Sequence, residues 1–510
     1  MNVQIVSKAL HEAETEILVL TLFEDTLHNL GYLSELDQKL SGKLSRMIES
    51  KEIKGKYREF TVLHLDSPGP KRLLVMGLGK QKDFSIDRIR SIAANSSRYA
   101  RRIQVSEIAI HDFSEYAVSP HDCSLALIEG VLMGMYRFDK YKSQKKNPEK
   151  KLQNIKIITS KNAQVDALRL GAEKGKNLAE STNFARDLVN EPANYLTPVR
   201  FAEYAQEVAK TEEIDIQVLG PEEIEREGMG AFLAVARGSE QPPRLVVMRY
   251  QGNPGGKTLG IVGKGVTFDS GGYDIKPSDS MLRMYSDMAG AAATLGAVRA
   301  IAREKLALNL VAVMPLAENL ISGKAYKPSD ILTSMSGKTI EMLNTDAEGR
   351  LLLADSLTYI QKYHHPDILI DIATLTGAAI VALGRTVSVA LSNDDDLYSQ
   401  FFKAGEYTGE RVWRLPLYEE FRSQLISDVA DIESVGGSSG GTITAAMFLN
   451  EFIEPGQAWL HLDIAGTAMM QEEIARYVKT PYIPKEGGTG TGTRLLYTFA
   501  EYFCKQNLKA

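Results

Sequence analysis

Residues 258–293 read TLGIVGKGVTFDSGGYDIKPSDSMLRMYSDMAGAAA, and this stretch decides the fold. An apolar run stops at Gly263, and Lys264 stands between two glycines. Asp269, Gly271, Gly272, Lys276 and Asp287 follow, and a small-residue helical pattern runs over 287–303. A strand without polar alternation is one covered on both faces. Polar side chains at the carboxyl end of such a strand are where open α/β sheets carry their sites, and glycines there let backbone and ligand come close.

The same alternation extends both ways. Downstream, the pattern predicts strands at 308–314, 368–372 and 458–462 and helices over 349–363, 395–405 and 442–452. Upstream of a long helical pattern over 163–190, strands are predicted at 3–6, 17–23, 60–65, 72–76, 108–111 and 155–159, with helical segments at 34–48 and 87–100. At 510 residues and 56.2 kDa the chain exceeds what one core usually supports. The expectation is therefore an α/β protein: a smaller N-terminal α/β domain over 1–160, a connecting helix over 161–190, and a larger C-terminal α/β domain over 191–510. The last carries the chemistry, on a mixed sheet covered by helices. No internal repeat is visible.

Composition narrows the function. Lys plus Arg is 59 against 65 for Asp plus Glu, a net charge of −6, so the chain lacks the global positive field of a dedicated nucleic-acid binder. The basic run DKYKSQKKNPEKKLQN, residues 139–154, reads as a solvated loop, with a local nucleic-acid contact as the sharper alternative. Two cysteines, Cys123 and Cys504, exclude a disulfide framework and a cysteine zinc site. The start MNVQIVSKALHEAETE has no signal pattern, and no apolar run reaches the ~18–20 residues of a membrane span. A soluble cytoplasmic protein is expected.

A second block, NTDAEGRL at residues 344–351, would place Asp346, Glu348 and Arg350 on one face if extended. Two carboxylates and a guanidinium make a metal site with an anion holder, a surface salt-bridge cluster, or an acid–base pair. Spacing alone favours the surface cluster. None of the eight histidines has HExxH or HxH spacing. His364-His365 reads as a helix end and His461 as a packed, hydrogen-bonded side chain. Any metal must then be held by oxygen, helped by a lysine nitrogen. The GKG at 263–265 lacks the flanking residues of a P-loop, no GxSxG elbow occurs, and GGSSGGT at 436–442 reads as a turn entering a helix. Lys264 and Asp269 are five apart, which puts them on opposite faces of a straight strand; they meet only if the chain bends, with Gly265 the candidate hinge.

Together the two blocks resemble the leucyl aminopeptidase (cytosol aminopeptidase) family, whose signature NTDAEGRL stands here unaltered. Further similar segments are VGKGVTFDSGG, DIKPS, SDMAGAAA, NFARDLVNEPANYLTP at 183–198, GMGAFLAVARGSEQPPRL at 228–245, DIATLTGA at 371–378 and WLHLDIAGTA at 459–468. The likeness covers the second half; the first ~160 residues match in layout only.

The resemblance turns the acidic cluster into an expected metal site. It implies two divalent ions per subunit, commonly zinc or manganese, with magnesium competing for hard oxygen ligands. It assigns Lys264, Asp269, Asp287 and Glu348 to one ion, and Asp269, Asp346 and Glu348 to the other, with the Asp346 carbonyl assisting. Lys276 and Arg350 match the catalytic positions: the family's lysine polarises the scissile carbonyl, and its arginine holds a bicarbonate that acts as general base. Met284, Thr374, Gly377, Ala465 and Ala468 fall at the side-chain pocket.

The implied protein releases N-terminal residues, leucine and other apolar ones, from peptides with a free amine, through a hydroxide shared by the ions. It is a cytoplasmic homohexamer; a DNA-binding or regulatory hexamer on the same scaffold is the alternative. Two divalent ions cancel the four carboxylates, and Lys264 must lose its proton to ligate. Lys276 and Arg350 then leave a surplus of positive charge, which suits a bicarbonate and a developing oxyanion. Tyr273-Asp274 departs from the apolar-plus-small pair expected there.

Overall fold

Runs rich in valine and isoleucine become strands in the computed structural model, which describes residues 1–66, 69–114, 116, 118–143, 152–478 and 480–507. The chain divides into two units, Met1–Glu180 with Lys479–Pro484, and Ser181–Val478 with Lys485–Ala510. The division falls inside the helix Val165–Asn190. Among the described residues no helix is long and apolar enough to cross a membrane.

The first unit holds β1 (Asn2–Ser7), β2 (Leu18–Phe23), β3 (Phe60–His64), β4 (Arg72–Gly79), β5 (Glu107–His111) and β6 (Asn154–Thr159). They form one sheet in the order β1-β6-β5-β2-β4-β3, with only β3 antiparallel to its neighbour. Helices Ile86–Arg102 and Pro120–Gly134 pack their apolar sides with Val19, Ile108, Ile110, Ile155 and Ile157. The helix predicted over 34–48 is instead two pieces, Ser34–Lys39 and Lys43–Glu49, separated where Gly42 takes a left-handed φ of 72°. Residues 144–151, which carry most of the basic run with Lys145, Lys146, Lys150 and Lys151, lie outside the described residues.

The second unit adds β7 (Asp215–Leu219), β8 (Arg244–Gln251), β9 (Thr258–Gly263), β10 (Gly265–Asp269), β11 (Asn309–Asn319), β12 (Ile331–Thr333), β13 (Thr339–Glu341), β14 (Ile368–Ala373), β15 (Ser388–Ser392), β16 (Val412–Arg414), β17 (Ile432–Glu433) and β18 (Ala458–Asp463). Nine of these form a mixed sheet in the order β16-β15-β18-β14-β9-β11-β8-β7, with β10 paired to β11; β12, β13 and β17 form a small separate sheet. The central strands β9, β14 and β18 run parallel and are buried almost throughout, as their continuous apolar runs require. Helix Ala289–Arg303 lies so close that a Cβ on Gly263 would meet Thr294 Oγ1 at 2.5 Å and Ala291 Cα at 2.9 Å. Its alanines and glycines make that approach possible.

β9 and β10 lie end to end along β11, with Val262 opposite Val313 and Gly265 opposite Leu316. Past the Val266–Ala317 pair the next is Phe268–Glu318, so Thr267 is an extra residue. A one-residue bulge reverses the alternation of faces. Lys264 and Asp269 thereby reach the same centre, and the device is the bulge at Thr267 rather than a hinge at Gly265.

Candidate metal centre

Three segments converge at the carboxyl ends of the central strands. The first, β10 and the loop after it, carries Asp269 and Lys276. The second is the turn Met284–Ser286, which ends at Asp287. The third enters the helix Glu348–His364, whose Leu351, Leu352, Leu353, Leu357 and Ile360 are fully buried. Burying each of those side chains is worth roughly 1.5–3 kcal/mol, which fixes the helix and with it the first-turn residue Glu348.

Asp269, Asp346 and Glu348 each offer an oxygen within 4.8 Å of the others. Lys264 Nζ lies 2.7 Å from Asp287 Oδ2 and 2.9 Å from Glu348 Oε1, and donates to the Thr374 carbonyl at 2.9 Å. Lys276 Nζ lies 2.7 Å from Asp269 Oδ2 and pairs also with Asp346 Oδ1. Thr374 Oγ1 donates to Asp287 Oδ1 at 2.6 Å. The five expected ligands and Lys276 are therefore in one place.

Arg350 feels the charge of Glu348 but makes no hydrogen bond or ion pair with these acids among the described residues. The segment 346–350 is not extended: the helix begins at Glu348, so Glu348 and Arg350 leave it in different directions. The buried Arg350 guanidinium donates through Nη1 to the Ser434 carbonyl at 2.6 Å, and its Nε has no hydrogen-bond partner. Burial pushes it down to about 10, against the opposing fields of Glu348 and Asp463.

Of the expected pocket residues, Met284 opens the turn that leads to Asp287, and Thr374 touches Asp287 directly. Gly377 starts the helix Gly377–Leu383, capped by Thr376, and is exposed. Asp463 accepts from the backbone N–H of Leu375 (3.1 Å), Thr376 (3.0 Å) and Ala465 (3.0 Å), which ties the Thr374–Gly377 side to the Ala465 side. Ala468 is buried, and its carbonyl accepts from Thr489.

Charge here is crowded. Burial raises the carboxyls of Asp269, Asp287 and Asp346 above their ordinary range, and Glu348 adds to each rise. Glu348 itself is pulled down: burial opposes this, and Lys264 and Lys276 outweigh it. Burial likewise disfavours charge on Lys264 and Lys276, yet the surrounding carboxylates hold both above the usual lysine range. Glu348 Oε2 is buried with no hydrogen-bond partner. An orphaned carboxylate oxygen among three further acids and an amine is a donor set that fits hard divalent cations.

Sequence reasoning missed the supports. Asn319 Nδ2 donates to Asp269 Oδ1 at 2.8 Å and to the Thr345 carbonyl at 3.0 Å, and Tyr326 Oη donates to that carbonyl at 2.7 Å. Neither residue sits in a motif, and only the pairing of β10 with β11 brings Asn319 opposite Asp269. His461 is the packed side chain expected, and His365 closes the helix Glu348–His364 in a left-handed conformation.

Comparison with known proteins agrees with this geometry. Residues 183–497 match the catalytic domain of the cytosol aminopeptidase family, and residues 19–145 match that family's N-terminal domain. The chain is 42% identical over 500 residues to a probable cytosol aminopeptidase of Alkaliphilus oremlandii, covering 98% of each chain. It is 41% identical over 506 residues to that of Alkaliphilus metalliredigens, covering 98% of this chain and 99% of the other. Among solved structures, a tomato leucine aminopeptidase variant superposes with a TM-score of 0.86 at 31% identity, covering 98% of this chain and 96% of that one. The bottromycin maturation enzyme BotP in complex with Mn gives 0.83 at 32% identity, covering 96% and 99%. With both domains matched and an acidic cluster able to chelate a metal, the chain belongs to the cytosol aminopeptidase family of two-metal exopeptidases and is a metal-dependent aminopeptidase.

Proposed function

We propose that this chain releases N-terminal residues, leucine and other apolar ones among them, from peptides with a free amine, using two divalent ions. Lys264, Asp269, Asp287 and Glu348 hold one ion, and Asp269, Asp346 and Glu348 the other. Zinc or manganese is the native metal, with magnesium competing; the manganese complex of BotP supports the choice by analogy. The homohexamer and the cytoplasmic setting rest on family resemblance. The observation that carries the reading is the approach of Asp269, Asp346 and Glu348 within 4.8 Å, with Lys264 bridging Glu348 to Asp287.

Bound there, the ions supply Lewis acidity to water and carbonyl alike, and a bicarbonate on Arg350 supplies a base. The chain's own residues do the rest. To hold an ion Lys264 would have to present a neutral amine, whereas the fields of Asp287 and Glu348 favour keeping its Nζ proton while the ions are absent. Lys276 keeps its proton, held by Asp269 and Asp346, and donates a hydrogen bond from Nζ to the scissile carbonyl. Arg350 suits an anion because it is a buried cation with a free Nε–H and no carboxylate in an ion pair with it among the described residues. Met284, Thr374, Gly377, Ala465 and Ala468 line the pocket for the departing side chain.

The test is hydrolysis of a panel of aminoacyl substrates, free and N-acetylated, by metal-stripped and metal-restored protein. Stripped protein should be inactive, Mn²⁺ or Zn²⁺ should restore it, and acetylated substrates should remain uncut. Full activity after exhaustive chelation, or equal turnover of acetylated and free substrates, sinks the reading.

A further inference from the structure

Ligands for the centre come from two loops remote in sequence, the one after β10 and the one before helix Glu348–His364. The structure assigns to Asp274 the role of a positioning residue that clasps these loops together through Thr345. This rests on the two-metal reading above and extends it to a side chain that the family pattern does not predict.

The contacts are specific. The Thr345 backbone N–H donates to Asp274 Oδ2 at 2.7 Å, and its Oγ1 lies 3.0 Å from the same oxygen. In return the Asp274 backbone N–H donates to Thr345 Oγ1 at 2.9 Å, while that hydroxyl also reaches the Gly271 carbonyl at 2.7 Å. Thr345 is fully buried, although Asp274 itself is exposed. The first loop is closed on itself by Lys276 N–H to the Ser270 carbonyl at 3.0 Å, so Asp274 sits at the tip of a closed turn between Asp269 and Lys276. On the other side, Asn344 Oδ1 accepts from Asp346 N–H at 2.8 Å, which leaves Thr345 locked between its neighbours. Asn319 and Tyr326 hold the Thr345 carbonyl, Asp274 holds its N–H side, and a shift on that side is passed along the chain to Asp346.

Why a carboxylate stands here follows from lone pairs. The Thr345 N–H and the one hydroxyl proton, which Asp274 shares with the Gly271 carbonyl, converge on a single carboxylate oxygen, which needs two acceptor sites in one place. A methyl group offers none. An amide carbonyl offers the same two, so charge is dispensable while geometry is not. The competing use of Asp274, as a charged determinant of substrate side chain, makes the opposite demand.

The experiment is titration of Mn²⁺ into the metal-stripped full-length chain by calorimetry, alongside kcat and KM for leucyl and lysyl substrates. Asp274→Ala should weaken Mn²⁺ affinity about tenfold and lower kcat/KM for both substrates in parallel, the usual scale for residues that orient metal ligands. Asp274→Asn should restore both to within about twofold, because its carbonyl can take the same hydrogen bonds. Thr345→Val should match Asp274→Ala, and the double substitution should add little to either alone; Thr345→Ser, which keeps the hydroxyl, should recover affinity. Unchanged Mn²⁺ affinity in Asp274→Ala overturns the clasp. Equal losses in the Ala and Asn variants, confined to the lysyl substrate, overturn it in favour of a charge role. Failure of the unsubstituted chain to bind Mn²⁺ overturns the two-metal reading itself, and the clasp with it.

Discussion

His461 Nδ1 lies 2.6 Å from Asp371 Oδ1, with both side chains fully buried between β14 and β18 and Trp459 Nε1 donating to the other oxygen of Asp371 at 2.8 Å. Burial alone would lower the histidine's pKa, but the Asp371 charge and hydrogen bond outweigh it and raise the group above its ordinary value. The folded state thus binds the proton more tightly than the unfolded one. The stabilisation is full below the unfolded value near 6.5 and is lost as pH rises through the higher folded value. Asp371→Asn should destabilise the protein by about 3–5 kcal/mol at pH 6, the usual result of breaking a buried pair. The gap to the unsubstituted protein in urea midpoints should narrow from pH 6 to pH 9. A gap that widens with pH refutes the assignment.

Asp355, two turns into the helix Glu348–His364, accepts from the buried backbone N–H of Phe232 and the partly buried one of Met335, each at 2.8 Å. Burial raises it to about 7 while those backbone bonds pull the other way. Asp355→Ala strands one buried and one partly buried donor and should cost about 2–4 kcal/mol. Asp355→Asn, which keeps one acceptor, should cost less. Thermal unfolding of the two variants decides it; equal melting points would count against the hydrogen bonds as the cause.

Much of this fold could be read from the chain. The apolar runs that became β9, β14 and β18 matched within a residue or two, because a strand buried on both faces leaves no polar alternation to confuse it. The convergence of Asp269, Lys276, Asp346 and Glu348 was legible only through the family resemblance, since spacing alone favours a surface cluster for the last two. Parity was not. An extended reading of 346–350 put Arg350 beside the acids, whereas the helix starts at Glu348 and sends Arg350 to Ser434. Nor could the bulge at Thr267 be foreseen, since it is defined by the partner strand and leaves no local composition signal. Asn319, Tyr326 and Asp274 act through hydrogen bonds to residues 19 to 71 positions away, and one chain read alone carries no trace of such pairing.

Gly349 marks where the Lys264 side chain crosses the helix Glu348–His364. A Cβ there would sit 2.7 Å from Lys264 Nζ and 2.8 Å from its Cδ. The three nearest atoms, with Cε the closest, all belong to the flexible lysine, so the backbone can stay while the amine moves off Asp287 and Glu348. Gly349→Ala should lower Mn²⁺ affinity about tenfold or more and shift the melting point by no more than a few degrees. Unchanged Mn²⁺ affinity would mean that Lys264 is not a ligand.

Asp463 joins the two sides of the expected side-chain pocket and also accepts from Thr376 Oγ1 at 2.7 Å. In Asp463→Asn one acceptor oxygen becomes an amide that faces existing donors. The Thr374–Gly377 and Ala465 segments should then part slightly. The expected outcome is a rise in KM of about tenfold for leucyl substrates, roughly the 1.4 kcal/mol of one charge-assisted hydrogen bond, with a smaller change in kcat. If kcat falls instead while KM holds, Asp463 serves the reacting centre and not the pocket.

Arg350 is where the proposed base can be told apart from the proposed metal centre. Its Nε–H is free, its Nη1 is engaged by the Ser434 carbonyl, and it makes no ion pair with the acidic cluster among the described residues. Arg350→Ala should therefore leave Mn²⁺ affinity within about twofold while kcat drops about a hundredfold, the scale of a lost general base. Arg350→Lys should recover little, because a single ammonium cannot reproduce the guanidinium fork that grips a planar anion. Added bicarbonate should raise the rate of the unsubstituted enzyme and leave both variants unmoved. Loss of Mn²⁺ binding in Arg350→Ala would tie this arginine to the metal after all, and the anion would need another host.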